Sequence, residues 1–351
     1  MKKPIFQEKY QLFINGKWVD ASDNTTFDVI CPADGKKLTA CAQATKEDVD
    51  KAVDAAWEAW KTWKHTTASQ RAAVLNKIAD IIDENKEHLA MVETLDNGKP
   101  IRETLGVDIP MGAEHFRYFA GAILAQTGEA NQLDQNTLSI VLQEPIGVVG
   151  QIVPWNFPFL MAAWKLAPVI ASGCCTVLKP SSSTSLSVLE LMKLIQDAVP
   201  AGVVNVITGA GSKSGDYMLK HPGFRKLAFT GSTEVGRSVA LAAAEKLIPA
   251  TLELGGKSAN IFFDDCPWEL AMDGLQMGIL FNQGQVCCAG SRVFVQEGIY
   301  DKFVAEAVKR FEKVKVGLPW EEETQMGAVI YQSQMEKVLE YIEIGRQEGA
   351  T

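Results

Sequence analysis

Residues 146–208 read IGVVGQIVPWNFPFLMAAWKLAPVIASGCCTVLKPSSSTSLSVLELMKLIQDAVPAGVVNVIT. Short apolar runs (IGVVGQIV, CCTVLK, VVNVIT) alternate there with helical stretches near 159–171 and 184–198. The rhythm continues through KLAFT (226–230) and ATLEL (250–254), separated by helical stretches near 213–221 and 233–246. Short strands alternating with helices predict βαβ units around a parallel sheet. A sheet of that kind binds ligands outside the carboxyl ends of its strands.

Working outward, QLFINGKWVD opens the chain as a hairpin. Thr45 and Asp48 form a capping box before Val49, Val53, Trp57 and Trp60, which recur at helical spacing. A second, longer helical pattern runs from near Ser69 through Val74, Ile78, Ile81, Ile82 and Leu89 to Gly98, with Pro100 beyond. Tryptophans on such stripes read as core. The stretch 126–143 is polar, has no helical period and ends in SIVLQ, which reads as a β excursion. After Gly256, SANIFF predicts a strand, Asp264, Asp265 and Pro267 a capped helix start, SRVFVQ a strand, and Tyr300 to Val314 a helix. The chain reaches Thr351 just after GRQEGA, which reads as a helix end leading into another strand, and no finished domain is expected there.

Composition sets limits. With 351 residues and 47% hydrophobic content the chain can bury a full core. A net charge of −9 excludes nucleic acid as a partner, because a phosphate backbone requires a basic face to replace its counterions. The seven cysteines are odd in number and lack CxxC spacing, which reads as reduced thiols of a cytoplasmic protein. The opening MKKPIFQEKYQLF lacks the apolar region of a signal peptide, and no run of about 18 apolar residues predicts a membrane helix.

Several residues carry potential chemistry, each with a plainer reading beside it. Cys287 and Cys288 lie in NQGQVCCAGSR, where glycines let backbone approach a ligand; in isolation the pair also reads as two buried small hydrophobes. Glu253, in LELGGKS, is an acid among apolar residues at a strand end, a setting that raises a carboxyl pKa toward that of a general base. It also reads as a strand-end carboxylate satisfied by backbone amides. Asn156 sits between Pro154 and Pro158 in PWNFP, as an oxyanion donor or a turn asparagine. Glycine-rich turns (Gly209, Gly211 and Gly215; Gly231 to Gly236) follow two sheet strands, but neither is a GxGxxG fingerprint. Lys179 could meet a ribose or phosphate, or be simply solvated. His65, His88, His115 and His221 sit in no motif that suggests a base partner, which disfavours a cysteine protease.

Taken in order, ETLDNGKP (93–100), PWNFP, the KPS turn, FTGSTEVG, LELGGK and NQGQVCCAGSR resemble the aldehyde dehydrogenase superfamily, from the opening hairpin to Thr351. The resemblance implies an α/β fold in three parts: a Rossmann-like parallel-sheet cofactor domain (1–122 and 146–255), a β-hairpin oligomerisation excursion (123–145), and the N-terminal part of an α/β catalytic domain (256–351). It implies Cys287 as nucleophile, Asn156 as oxyanion donor, Glu253 as general base and Lys165 in a proton relay. The NAD or NADP site would be built from Trp155, Lys179, Ser182, Gly211, Gly215, Phe229, Thr230, Gly231, Ser232 and Leu254. Met111, Phe157, Leu160, Trp164, Val286 and Cys288 would line a mostly apolar substrate tunnel, which favours aliphatic or aromatic aldehydes. No metal is expected, and a homodimer or homotetramer is.

Two departures from the family pattern bear on function. Ser182 stands where many NAD-preferring members carry a glutamate, so the charge that repels a 2′-phosphate is absent. The family's catalytic domain also continues past Thr351 to a Glu-containing EIFGP segment. The alternatives are a CoA-acylating semialdehyde dehydrogenase and a catalytically silent or incomplete member acting as a binding or structural protein.

Overall fold

The computed structural model describes residues 2–350, so the last residue of the expected catalytic part lies outside the described residues. The chain begins with β1 (Lys9–Tyr10), a hairpin of β2 (Leu12–Ile14) and β3 (Lys17–Val19), then β4 (Thr26–Ile30) and β5 (Lys37–Ala42). Asn15 and Gly16 turn the hairpin at φ of 55° and 72°, the left-handed pair that matches the twist of the flanking strands. Helix α1 (Lys46–Trp63) starts in the expected Thr45–Asp48 capping box, a cap worth about 1 kcal/mol.

The expected long helix up to Gly98 is two helices, α2 (Ala68–Glu84) and α3 (Lys86–Asn97). The correction has a local cause. Asn85 leaves helical geometry at φ −114°, ψ 18°, and its side-chain amide donates to the Ile81 carbonyl at 2.8 Å. Such a bond offers the backbone an alternative to continuing the helix. α3 ends at Gly98, whose φ of 89° is the left-handed cap expected there. The chain continues through α4 (Ile101–Glu103), a π-helical turn (Thr104–Asp108), α5 (Ile109–Leu124) and a hairpin of β6 (Glu129–Gln132) and β7 (Leu138–Val141). Leu133, Leu138, Ile140 and Leu142 of this excursion are all exposed.

The parallel strands follow: β8 (Val148–Ile152), then α6 (Pro158–Ala171), β9 (Cys175–Lys179), α7 (Leu186–Ile195) and β10 (Val204–Val206). A π-helical turn (Gly211–Gly215) leads into α8 (Asp216–Lys220), β11 (Lys226–Gly231), α9 (Thr233–Glu245) and β12 (Ala250–Leu254). The sheet runs β12-β11-β8-β9-β10-β2-β3, with β12 to β10 parallel and the opening hairpin added antiparallel. Strands β9 and β10 are buried throughout, as a sheet covered by helices on both faces requires. In register, Ile152 lies beside Lys179 and Phe229, and Gly231 beside Leu254. This aligns one carboxyl edge.

The remaining chain forms a parallel pair, β13 (Ala259–Phe262) and β14 (Arg292–Val295), with α10 (Trp268–Leu280), α11 (Tyr300–Phe311) and α12 (Gln332–Gln347). The expected aspartate cap of α10 is absent: Pro267 occupies the cap position without a side-chain bond, and Asp264 instead accepts from the Gln296 amide at 3.0 Å. Apolar residues form two clusters. One is the large core around the seven-stranded sheet; the other is small, comprising Phe262, Ala271, Met272, Leu275 and Phe303.

Candidate active site

β8 ends at Ile152, and the chain leaves the sheet through Val153 to Phe157 before Pro158 starts α6. Prolines on both sides of this turn limit the orientations of Asn156. Its amide Nδ2 donates to the Gln285 carbonyl at 2.9 Å, two residues before Cys287. The Asn282 amide donates in turn to the Asn156 carbonyl at 2.7 Å. A carboxamide nitrogen has two protons, so one remains for an oxyanion. The Phe157 ring stacks on Phe281 with centroids 5.8 Å apart, joining the same two loops by an apolar contact. The LELGGK segment meets the Cys287 loop as well. A Cβ at Gly256 would lie 2.9 Å from the Cys287 carbonyl oxygen, so glycine permits this close approach.

Cys287 and Cys288 are exposed, against the reading of two buried hydrophobes. Desolvation and the adjacent Cys288 thiol push the Cys287 thiol above its ordinary range, with backbone hydrogen bonds offsetting part of the rise. The resting group is therefore a thiol at neutral pH, and attack requires a proton acceptor.

Glu253 departs from expectation. It is exposed, because β12 is an edge strand and its outer side faces solvent. Its charge is nevertheless felt by Lys165, which is buried on α6. Burial lowers the Lys165 ammonium to about 8, and Glu253 counteracts part of that fall. Lys165 is thus a buried amine whose charge changes not far above neutrality.

The expected cofactor residues line the same edge. Lys179 is neither solvated nor free: it is buried and donates to the Pro180 and Gly209 carbonyls at 2.8 and 3.0 Å, and burial lowers it to about 8. Gly211 and Gly215, expected in a turn, form the π-helical start of α8, and Gly215 packs near the Lys179 stem. Ser232 caps α9, its hydroxyl accepting from the Val235 N–H at 3.3 Å. The remaining first-turn N–H groups of α9 lack carbonyl partners by helix geometry, which makes that end an anion site. Phe229 and Thr230 are buried in β11, and Leu254 packs on Gly236. Ser182 and Tyr331 share a cleft of about 280 Å3 with Phe27, Asp28 and Gln43. The open edge beside Gly211 and Gly255, where an added Cβ would meet nothing, together with the α9 terminus, fits a dinucleotide.

The expected tunnel residues are only partly brought together. Phe157 and Leu160 are buried, and Val286 packs against the main core. Met111 on α5 and Trp164 on α6 are 37% and 40% exposed, and Trp164 stacks on His115 at 5.1 Å. Cys288 is exposed. These residues form no closed apolar lining.

Sequence reasoning overlooked a polar network beneath the site. Every residue of ETLDNGKP is buried, and so are Glu103 and Asp108. Lys99 pairs with Asp108 at 2.5 Å and lies 3.8 Å from the Phe157 ring centroid. Asn97 donates to the Trp155 carbonyl at 2.7 Å, and Asp96 accepts from the Leu186 N–H at 2.8 Å. Burial raises Glu93, Asp96 and Asp108 and takes Glu103 to about 7, while the Lys99 charge opposes the rise at Glu93, Glu103 and Asp108. A signal was available: a helix ending in Glu, Asp, Asn and Lys without a polar stripe must bury some of them. Tyr331, whose ring meets Trp155 edge-on at 5.8 Å, was also overlooked, since nothing in the sequence draws it to that turn.

Among the described residues no group of three or more metal-binding side chains is present, and no helix is long and apolar enough to cross a membrane. The sequence profile described as aldehyde dehydrogenase family matches residues 18–351. Aldehyde dehydrogenase B of Escherichia coli is 48% identical over 348 residues, covering 97% of this chain and 68% of that protein. An aldehyde dehydrogenase of Deinococcus radiodurans is 48% identical over 351 residues, covering 98% and 68% respectively. The NAD+ complex of an aldehyde dehydrogenase from Bacillus cereus superposes with a TM-score of 0.96 at 43% identity, over 98% of this chain and 71% of that one.

Proposed function

Because this chain belongs to the aldehyde dehydrogenase family, we propose that it oxidises an aldehyde to a carboxylate with NAD+ or NADP+ and water, through a thioester on Cys287. One observation carries the reading: Asn156, the loop before Cys287 and Gly256 meet at the carboxyl edge of the sheet. The Cys287 thiol gives its proton to water and, as the thiolate, adds to the aldehyde carbon, and the resulting oxyanion is held by the free Asn156 N–H and the Cys287 backbone N–H. Each such donor is worth about 3 kcal/mol in the transition state. The bound nicotinamide supplies the acceptor for the hydride that converts the thiohemiacetal into a thioester. Glu253, exposed and therefore in contact with water, activates the water that cleaves the thioester, and Lys165 takes up the proton.

Trp155, Ser232 and the first turn of α9 would hold the cofactor phosphates, and Lys179 would serve the adenosine ribose. The uncharged Ser182 is compatible with either dinucleotide. Residues 1–122 and 146–255 serve as the cofactor unit and residues from 256 onward as part of the catalytic unit. The exposed apolar hairpin within 123–145 serves for homodimer or homotetramer assembly.

Replacing the nucleophile separates this reading from its rivals. Cys287→Ala should abolish both aldehyde oxidation and ester hydrolysis, whereas Cys288→Ala should alter substrate preference only. Mass mapping of an acyl adduct to Cys288, or turnover that requires CoA and yields acyl-CoA, would refute it.

A further inference from the structure

The loop that delivers Cys287 is conformationally unfavourable. Asn282 (φ 45°, ψ 42°), Gln283 (φ 57°, ψ 28°) and Gly284 (φ 73°) are three consecutive left-handed residues. Glycine adopts this region freely and asparagine tolerates it, but glutamine resists it. Such a turn persists only where its surroundings fix it.

The fixing contacts come from distant parts of the chain. Gln283 donates to the Ala328 carbonyl at 2.9 Å and accepts from the Gly327 N–H at 3.2 Å, and Gln285 accepts from the Ile330 N–H at 3.1 Å. At the centre, a carboxylate oxygen of the buried Glu103 accepts the Asn282 N–H at 2.8 Å. The Asn282 amide then reaches the Asn156 carbonyl at 2.7 Å and the Gln285 carbonyl at 3.3 Å, and the Asn156 amide binds that same Gln285 carbonyl at 2.9 Å. Asn156 is thus held at both its backbone and its side chain by a turn that Glu103 anchors.

We propose that Glu103 is a positioning residue for acyl transfer: by anchoring the Asn282 N–H it sets the left-handed turn, and through Asn282 it aims the Asn156 amide at the oxyanion formed on attack by Cys287. Glu103 touches neither substrate nor thiol. The proposal rests on the reading of Cys287 and Asn156 given above. It predicts a specific split. Reactions of Cys287 that pass through an oxyanion depend on Glu103, and reactions that do not are indifferent to it.

Two probes make the split without any cofactor. p-Nitrophenyl acetate acylates the thiol through a tetrahedral oxyanion, releasing p-nitrophenolate; iodoacetamide alkylates it by direct displacement of iodide, with no oxyanion. Glu103→Leu, which keeps volume and removes the acceptor, should slow the p-nitrophenolate burst at least about 10-fold, since loss of one oxyanion donor costs roughly 10²- to 10³-fold. Its iodoacetamide rate should stay within about threefold of wild type. Glu103→Gln, which retains an acceptor oxygen, should restore the burst to within about threefold. Asn282→Gly accepts the left-handed geometry but deletes the linking amide, and should slow the burst as Glu103→Leu does, which keeps the proposal testable if the leucine variant does not fold. A normal burst in either Glu103→Leu or Asn282→Gly, equal losses of burst and alkylation, or a glutamine variant as slow as the leucine one would overturn it. A burst that survives in Cys287→Ala would instead overturn the underlying assignment of the nucleophile.

Discussion

Lys165 is the residue whose protonation should be visible in rates. Burial brings its ammonium down to about 8, from an ordinary value of 10.5, although the nearby Glu253 charge favours the protonated form. The group loses its charge as pH rises through about 8, so the fraction able to accept a proton grows across that interval. If Lys165 takes the proton released by thioester hydrolysis, steady-state turnover should climb severalfold between pH 7 and 9, and Lys165→Met should flatten the climb. An unchanged profile in the methionine variant would remove Lys165 from the relay. The contrast with Glu253 is instructive: the apolar neighbours in LELGGK suggest a buried acid, yet the side chain is exposed. Local sequence cannot show that β12 is the last strand of its sheet, and that position decides which groups meet solvent.

At the level of elements, the site depends on the exit of β12 running close beneath the Cys287 loop. Gly256→Ala would bring a methyl group to 2.9 Å from the Cys287 carbonyl oxygen, closer than two such atoms can sit, so one loop must move. We expect acylation of Cys287 to fall by about 10- to 100-fold with little change in global stability, because a misplacement of roughly 1 Å from near-attack geometry costs on the order of 100-fold in rate. A variant with a normal p-nitrophenyl acetate burst would show that the loops shift freely. The elements themselves were unevenly legible. The five parallel strands and the helices between them follow from alternation of apolar runs, a signal strongest at β8, β9 and β10, which are buried on both faces. The break at Asn85 was hidden because the apolar period continues across it, and only a side-chain bond to Ile81 ends α2. The small sheet of β1, β5 and β4 was missed because its strands mix polar with apolar residues. The motifs that meet around Asn156 were readable as motifs, but the Glu103 to Asn282 bond that ties them spans 179 residues, and no local pattern reports such a pairing.

For the molecule as a whole, buried ionisable groups should shape stability against pH. Glu93, Asp96, Glu103 and Asp108 have folded-state values above their ordinary ones, with Glu103 near 7. The folded state therefore binds more protons than the unfolded state, over the window from about 4.5 to about 7 for Glu93 and Glu103 and upward from 3.8 for Asp96 and Asp108. The contribution of each group is fully present below its ordinary value and is lost as pH rises through its raised one, by at most about 1.4 kcal/mol per pH unit for each group. Lys165 and Lys179, lowered to about 8, act in the other sense and restore stability from about pH 8 to 10.5. His115 and His221, pushed down by burial, oppose the carboxyls below about pH 6.5, so a variant comparison is the sharper measurement. Urea midpoints for Glu93→Gln should fall less between pH 5 and 7.5 than those of the wild type, and identical slopes would contradict the assignment. The sheet order has a different consequence, one that belongs to synthesis. The opening hairpin completes the sheet by pairing with β10, and the Asn15 N–H reaches the Asn205 side chain 190 residues later. On a ribosome adding about 5–20 residues per second, the apolar residues Leu12, Phe13 and Ile14 wait roughly 10–40 s for the strand that covers them. Slower translation of the intervening stretch lengthens the time during which this hairpin can pair with a neighbouring nascent chain instead of its own.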